Sequence, residues 1–426
     1  MDDRGEPVPT DGRMMLARRL AELLEEVRQL PGLGGFQRPL PAVNLRRAAT
    51  LGPVVTVNVT QRRADALIVT PDEVLPLPLD FTAADAYDTA SAYVEVIEQH
   101  QNRLAALEEA AAAAQETVNA RTYAAYQHAA VALVEAATIL ENVLTSTLEW
   151  LWEAIGRPVL DALSFKETPG EGRPWPRLWW CPTGLLTVLP LHAAGRHSEA
   201  GQSALDRAVM SYTPSLRVLI DSRSWERSTV AGGMLHVALP KTSGQRDLPH
   251  VEREEKLLKA LFGANCTTLK GFAADRASVR RELAVHRSVH FSCHATSDPL
   301  RPALGGALLS DGLLTTGEIA TDHRHRDFAF LSACKTALGG LLLPDESMTL
   351  SAALHYTGYR HVIGTLWSVR DDVAADVAEK VYRELWQDDV FRPDRAATAL
   401  HGAIRSLRDA SPHEPSHWMS FTHTGP

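Results

Sequence analysis

Cysteine is scarce in this chain, and no motif is built on it. Its 426 residues hold four, Cys181, Cys266, Cys293 and Cys334, without a CxxC spacing. Four are too few for a disulfide framework and fit a reducing compartment, so a cytoplasmic location is expected. The amino-terminal MDDRGEPVPTDGR is acidic and contains proline, and it lacks the apolar centre of a signal peptide. No run of about 18 apolar residues suggests a membrane span. There is no basic stripe. The net charge is −9, and Arg18–Arg19, Arg46–Arg47 and Arg62–Arg63 are isolated pairs, which argues against a nucleic-acid partner. Neither GxxxxGK[ST] nor GxGxxG occurs, which excludes the usual phosphate loops. HExxH is also missing, and His323–Arg324–His325 reads as a solvated polar loop. No metal or other cofactor is expected. No repeat at solenoid periods is present.

What is there is an ordinary globular composition, 45% hydrophobic and 22% charged, in a chain long enough for two or three structural units. Residues 14–30 carry Leu16, Leu20, Leu23, Leu24 and Val27 at helical spacing, and PGLGG stops that helix. VVTVNVT alternates like a strand, and ALIVTPDEVLPLPL gives a second with proline-rich edges, so a hairpin is expected. Residues 83–162 read as long alanine-rich helices, the last broken at Gly156–Pro158. FKETPGEGRPWP (165–176) is the best internal boundary. Beyond it, strands at LWWC, MLHVAL, CTTLK, SVHFSC, FAFLSA and HVIGTLW alternate with amphipathic helices at 249–262, 275–285, 347–357, 371–387 and 394–409. This alternation predicts a mostly parallel sheet covered by helices on both faces. ALLSDGLLT predicts a hairpin around Asp311–Gly312.

Two segments in this half carry chemistry. SVHFSCHA (288–295) and DFAFLSACKTALGG (327–340) are each a buried-strand pattern that ends in a reactive side chain, His294 and Cys334. Ligands of α/β sheets bind beyond the carboxyl ends of parallel strands, so a base and a thiol there would form a nucleophile pair. An imidazole lowers the thiol pKa and later protonates the leaving group. From composition alone Cys334 reads as a small buried hydrophobe, the usual fate of a lone cysteine. His290, four residues before His294, shares its face in a regular strand and is its rival, although it lies deep in the strand.

The ordered segments resemble the CHAT domain, a caspase-like cysteine peptidase domain related to caspases, separase and gingipains. RLWWCPTGLLTVLPLHAAG (177–195), SYTPSLRVL (211–219), LPHVEREEKLLKALF (248–262), the His and Cys segments, HVIGTLWSVRDD (361–372) and HWMSFTHTGP (417–426) follow the family's order. The resemblance is strong over about residues 175–426 and extends loosely to about residue 45 through GPVVTVNVTQRRADALIVT. It implies an α/β, caspase-like, mostly parallel sheet flanked by helices, with an N-terminal β-hairpin and helical region. The expected organisation is a tail and short helix (1–44), a hairpin plus helical hairpin (45–164) and the caspase-like domain (165–426).

The same resemblance implies a cysteine endopeptidase that cleaves a specific protein substrate, in a regulated defence or cell-death pathway. It selects His294 as general acid–base and Cys334 as nucleophile. Backbone N–H groups of Ala295 and Cys334 would form the oxyanion hole. The family usually has glycine where this chain has Ala295, which serves only if the backbone there does not need a positive φ. Asp371, Asp372 and Asp345 are candidates for an acidic substrate-binding pocket. The competing reading of Asp371 and Asp372 is a helix N-terminal turn, and Asp345 could equally cap a helix. Almost nothing precedes residue 45, so an activating or sensor protein is expected as a separate partner, or the chain is a fragment. The alternative function is a catalytically idle CHAT-like scaffold or interaction module.

Overall fold

The computed structural model describes residues 10–31, 33, 38, 40–224, 233–296, 301–321, 325–332 and 350–426. They fall into two units, Met1–Leu45 and Arg46–Pro426. The first unit holds α1 (Thr10–Arg28) and the short α2 (Ala42–Leu45). Leu16, Leu20 and Leu23 of α1 are exposed, and Arg19–Glu22 pairs along it at 3.2 Å.

The second unit opens with β1 (Val54–Val59), β2 (Ala64–Val69) and β3 (Val74–Leu79). All three pair antiparallel, so the expected hairpin is a three-stranded meander. The second predicted strand is divided at Pro71–Asp72 by a turn in which Thr70 N–H donates to the Glu73 carbonyl. Pro76 and Pro78 are tolerated because β3 is the outer strand and both share one parity, which turns their missing donors away from β2.

Next come α3 (Ala83–Glu116), α4 (Ala120–Leu151) and α5 (Arg157–Ala162). Thr82 and Asp85 form a capping box that starts α3, and Asn119 with Thr122 starts α4. The helix is not broken at Gly156–Pro158. One π turn at Trp152–Gly156 joins α4 to α5 and absorbs the proline. By length and composition alone, Ala120–Ala162 is long and apolar enough to cross a membrane. Its carboxyl-terminal part, with Leu140, Leu144, Leu148, Leu151 and Trp152, is buried in the core.

The remaining strands are β4 (Arg177–Trp180), β5 (Val209–Tyr212), β6 (Met234–Ala238), β7 (Cys266–Lys270), β8 (Ser288–Ser292), β9 (Ala295–Thr296), β10 (Gly306–Leu309), β11 (Gly312–Thr315), β12 (Arg326–Leu331), β13 (Tyr359–Thr365), β14 (Trp386–Gln387), β15 (Val390–Phe391) and β16 (Phe421–Thr424). The helices between them are α6 (Leu216–Ser224), α7 (Val251–Phe262), α8 (Arg276–Leu283), α9 (Thr316–Ile319), α10 (Leu350–Tyr356), α11 (Asp371–Leu385) and α12 (Ala396–Ala410).

Eleven strands make one sheet in the order β3-β2-β1-β4-β5-β16-β13-β12-β8-β6-β7. From β13 to β7 every neighbour is parallel. β16 runs antiparallel to β13 and parallel to β5. The central strands are buried on both faces, which is why they read as continuous apolar runs. Phe328, Phe330 and Ile363 face the layer with Leu258 of α7 and Val377, Val381 and Tyr382 of α11. Val289, Phe291, Ala329 and Leu331 face the opposite layer, with Val279 and Leu283 of α8 and Leu350 and Leu354 of α10. The result is a mostly parallel sheet with helices on both sides.

Candidate active site

β8 ends at Ser292, and the chain leaves it through Cys293 and His294. Cys293 is fully buried in the α8–α10 layer, and burial pushes its thiol up to about 12. Burial also raises Cys181, to about 11, and Cys266. No described thiol is therefore poised to ionise at neutral pH.

His294 is half-buried beyond the carboxyl end of β8. Its Nε2 lies 2.7 Å from the carbonyl of Arg246, in the loop leading to α7. A carbonyl only accepts, so Nε2 carries the proton and Nδ1 is the basic nitrogen. The Arg246 side chain in turn lies 3.7 Å from Glu108 of α3, linking this loop to the helical hairpin.

Ala295 opens β9 and pairs with Ala307 of β10. Leu308 N–H donates to the His294 carbonyl at 2.8 Å, which makes Ala295–Ala307 a non-hydrogen-bonded pair. The Ala295 N–H therefore points away from β10. Ala295 is not among the residues with positive φ, so its Cβ causes no strain. Gly306 lets this hairpin close, because a Cβ there would overlap the Leu314 carbonyl and the Thr315 Cα.

β12 lies beside β8 and parallel to it. Phe328 pairs with Ser288 and Leu331 with Phe291, an offset of 40 residues. The same number of residues separates His294 from Cys334 in the sequence. Ser332 N–H continues the ladder to the Phe291 carbonyl at 2.9 Å. Cys334 and Asp345 lie outside the described residues.

Asp371 and Asp372 form the first turn of α11, just after β13. Asp371 Oδ2 accepts the His250 backbone N–H at 2.6 Å and lies 3.0 Å from His250 Nδ1. Its side chain is only 13% exposed, so it ties the start of α11 to the start of α7. Asp372 pairs with Arg370 at 2.5 Å, which holds its carboxyl below the usual range. Both carboxylates are thus engaged by neighbouring residues at a helix N-terminus, Asp371 largely buried and Asp372 at the surface.

His290 occupies the interior of β8. It is fully buried and stacks on Phe330 at 5.0 Å between ring centres. Its Nδ1 lies 2.9 Å from the Tyr382 hydroxyl. Burial, with Glu254 nearby, raises the Tyr382 pKa, so this phenol stays protonated and donates to Nδ1. The His290 proton is then on Nε2, which faces Glu254 Oε1 at 3.5 Å.

Glu254 is the part of this region that sequence reasoning did not single out. It projects from α7 with 2% exposure. Ser292 Oγ donates to its Oε2 at 2.5 Å, and Ser332 Oγ donates to its Oε1. His236 of β6 lies 3.0 Å from Ser292 Oγ through Nε2. Burial, then the His290 ring, depress the His236 pKa to about 3, so the ring is neutral. The signal was present in helical phase: Val251, Glu254, Leu258 and Phe262 are the buried face of α7.

The family model of the CHAT domain matches residues 145–426. No curated protein matches the sequence. Two crystal structures of the Saccharomyces cerevisiae separase–securin complex share the fold. The structure at 2.6 Å resolution aligns with a TM-score of 0.54 at 8% identity, over 100% of this chain and 32% of that chain. The one at 3.0 Å gives a TM-score of 0.54 at 9% identity, over 97% and 31%. The present chain thus spans about a third of the length of the chain it resembles there. A complex of the Porphyromonas gingivalis RgpB pro- and mature domains is more distantly similar, with a TM-score of 0.43 at 10% identity over 68% of this chain and 70% of that one.

Proposed function

The chain belongs to the CHAT domain family, and from that premise we propose that it is a cysteine endopeptidase with Cys334 as nucleophile and His294 as general acid–base. The observation that carries the proposal is the setting of His294. It stands beyond the carboxyl end of a central parallel strand, with its tautomer fixed by the Arg246 carbonyl. The neighbouring strand β12 leads to Cys334 at a sequence offset equal to the strand register. The raised pKa values of the three described thiols favour the fourth as the reactive one.

In this reading Nδ1 takes the Cys334 proton, and the thiolate sulfur attacks the scissile carbonyl carbon. The carbonyl electron pair moves to oxygen, where the Ala295 N–H, turned out of its hairpin, is one donor. Collapse breaks the C–N bond, and the imidazolium protonates the leaving amine. Water activated by His294 then hydrolyses the thioester and regenerates the thiol. The substrate is a protein, and an activating or sensor protein controls the site.

A comparison of new protein N-termini in cells carrying the native chain or Cys334→Ala tests the proposal. A small set of cleavage sites present only with the native chain is expected. Identical sets, with both chains expressed and folded, would reject peptidase activity.

A further inference from the structure

We infer that Glu254 is a positioning residue of this site: its carboxylate takes the hydroxyls of Ser292 and Ser332 on its two oxygens and so fixes the ends of β8 and β12 relative to each other. The inference rests on the proposed dyad, because His294 and Cys334 each follow one of these serines by two residues.

The placement is costly unless it serves geometry. Glu254 is buried, and among the described residues its one ion-pair contact is the His290 ring at 3.5 Å. A buried charge of this kind is often less stabilising than an apolar residue of similar volume. Its neighbours on the same helix face, Val251, Leu258 and Phe262, are apolar, and leucine would suit a core that needed only packing. Instead the surroundings are arranged as donors. Ser292 and Ser332 both donate to the carboxylate, and Ser292 is backed by His236. Tyr382 orients His290 so that Nε2–H faces it.

The location also matters. Among the described residues, the last main-chain bond between β8 and β12 runs from Ser332 N–H to the Phe291 carbonyl, and Cys293 has already left the strand. Glu254 clamps the two strands beside that bond. Burial works to raise its pKa, but the His290 ring and the serine hydroxyls outweigh it, so the carboxyl lies below its usual range and is ionised. An ionised carboxylate with fixed donors on both oxygens is a rigid spacer.

The test uses the purified full chain and iodoacetamide as probe. The alkylation rate of each cysteine is followed by mass spectrometry, with the buried Cys181 and Cys293 reporting loosening of the fold. The variants are Glu254→Gln, Ser292→Ala, Ser332→Ala, Glu254→Gln/Ser332→Ala and His294→Ala. Charge alone predicts that Glu254→Gln speeds Cys334 alkylation, because a nearby negative charge is removed. Positioning predicts the opposite sign. The expected result is a fall of about ten- to hundredfold in Glu254→Gln, on the scale of misplacing a reacting group by an ångström. Cys181 and Cys293 stay protected, and the double variant is no slower than the slower single one.

An unchanged or faster Cys334 in a folded Glu254→Gln chain overturns the inference. If Glu254→Gln exposes the buried cysteines, the two serine variants decide: slowing at Cys334 alone supports the clamp, and no slowing rejects it. If His294→Ala slows Cys334 and Glu254→Gln does not, the clamp fails and the dyad stands. If His294→Ala changes nothing, the dyad falls and the clamp with it.

Discussion

The imidazole of His294 is held by the main-chain carbonyl of Arg246 at 2.7 Å, through the nitrogen that is not needed as a base. A carbonyl can stabilise an imidazolium without competing for its proton. His294→Ala should therefore slow alkylation of Cys334 by about tenfold or more at neutral pH, since an unassisted thiol is only a few per cent ionised. The other cysteines should be unaffected. Equal Cys334 rates in both chains would show that the thiol is not paired with this histidine.

His290 is expected to matter for folding first. It stacks on Phe330, accepts from Tyr382 and turns Nε2 toward the Glu254 carboxylate at 3.5 Å. Its removal leaves a cavity beside Phe330 and takes away the N–H that faces the buried carboxylate, at a cost of about 2–5 kcal/mol. Equilibrium urea unfolding of His290→Ala should show that loss. A variant as stable as the native chain but without activity would mean that the base has been assigned to the wrong histidine.

Asp371 gives a sharper test of the acidic pocket. Its contacts with His250 join two helix starts, and Asp371→Asn weakens them by about 1–2 kcal/mol, the scale of a charged hydrogen bond. A small fall in Tm with an unchanged P1 preference is expected. A tenfold or larger loss of kcat/KM confined to substrates with basic P1 residues would instead place substrate at this carboxylate.

Acid should destabilise the fold through its buried histidines. Burial holds His192, His197 and His355 down to about 4, and His236 and His401 down to about 3. These rings are neutral when folded, while in the unfolded chain they protonate near 6.5. Stability is thus fully present above about pH 6.5 and falls as the pH drops from there towards about 4, because the unfolded chain binds more protons. Each pKa step is worth about 1.4 kcal/mol per histidine. Urea midpoints at pH 7.5 and 5 check this. Equal midpoints would contradict it, and His401→Gln should flatten the slope.

Gly306→Ala should disturb the hairpin that presents Ala295, since the new methyl would overlap the Leu314 carbonyl. Overpacking of this kind costs about 1–3 kcal/mol. Faster amide hydrogen exchange at Leu308, whose N–H holds the His294 carbonyl, would report it. Unchanged exchange there would show that the hairpin tolerates the methyl.

The central strands were readable because burial on both faces leaves an uninterrupted apolar signature, as in Phe328–Leu331 and Val362–Ile363. The position of His294 beyond a strand end was readable because that signature stops there. Other features were hidden for physical reasons. Glu254 sits between Glu252 and Glu255 in a charged helix, and only its phase with Leu258 and Phe262 distinguishes it from a solvated residue. The turn at Pro71–Asp72 was missed because apolar residues continue on both sides of it. The π turn before Pro158 accommodates a residue that usually marks a helix break. Contacts across long separations, such as Asp371 with His250, have no local signature at all.

β16 joins what would otherwise be two separate sheets, β3-β2-β1-β4-β5 on one side and β13-β12-β8-β6-β7 on the other. It follows every other described strand in chain order. While a ribosome is still making the residues before Phe421, the edges of β5 and β13 have no partner. A nascent chain stalled there carries two bare edges, each a template for a second nascent copy. Synthesis thus defers the joining of the two half-sheets until the stretch from Phe421 to Thr424 has emerged, and a premature stop codon upstream of it would yield aggregation rather than a smaller working protein.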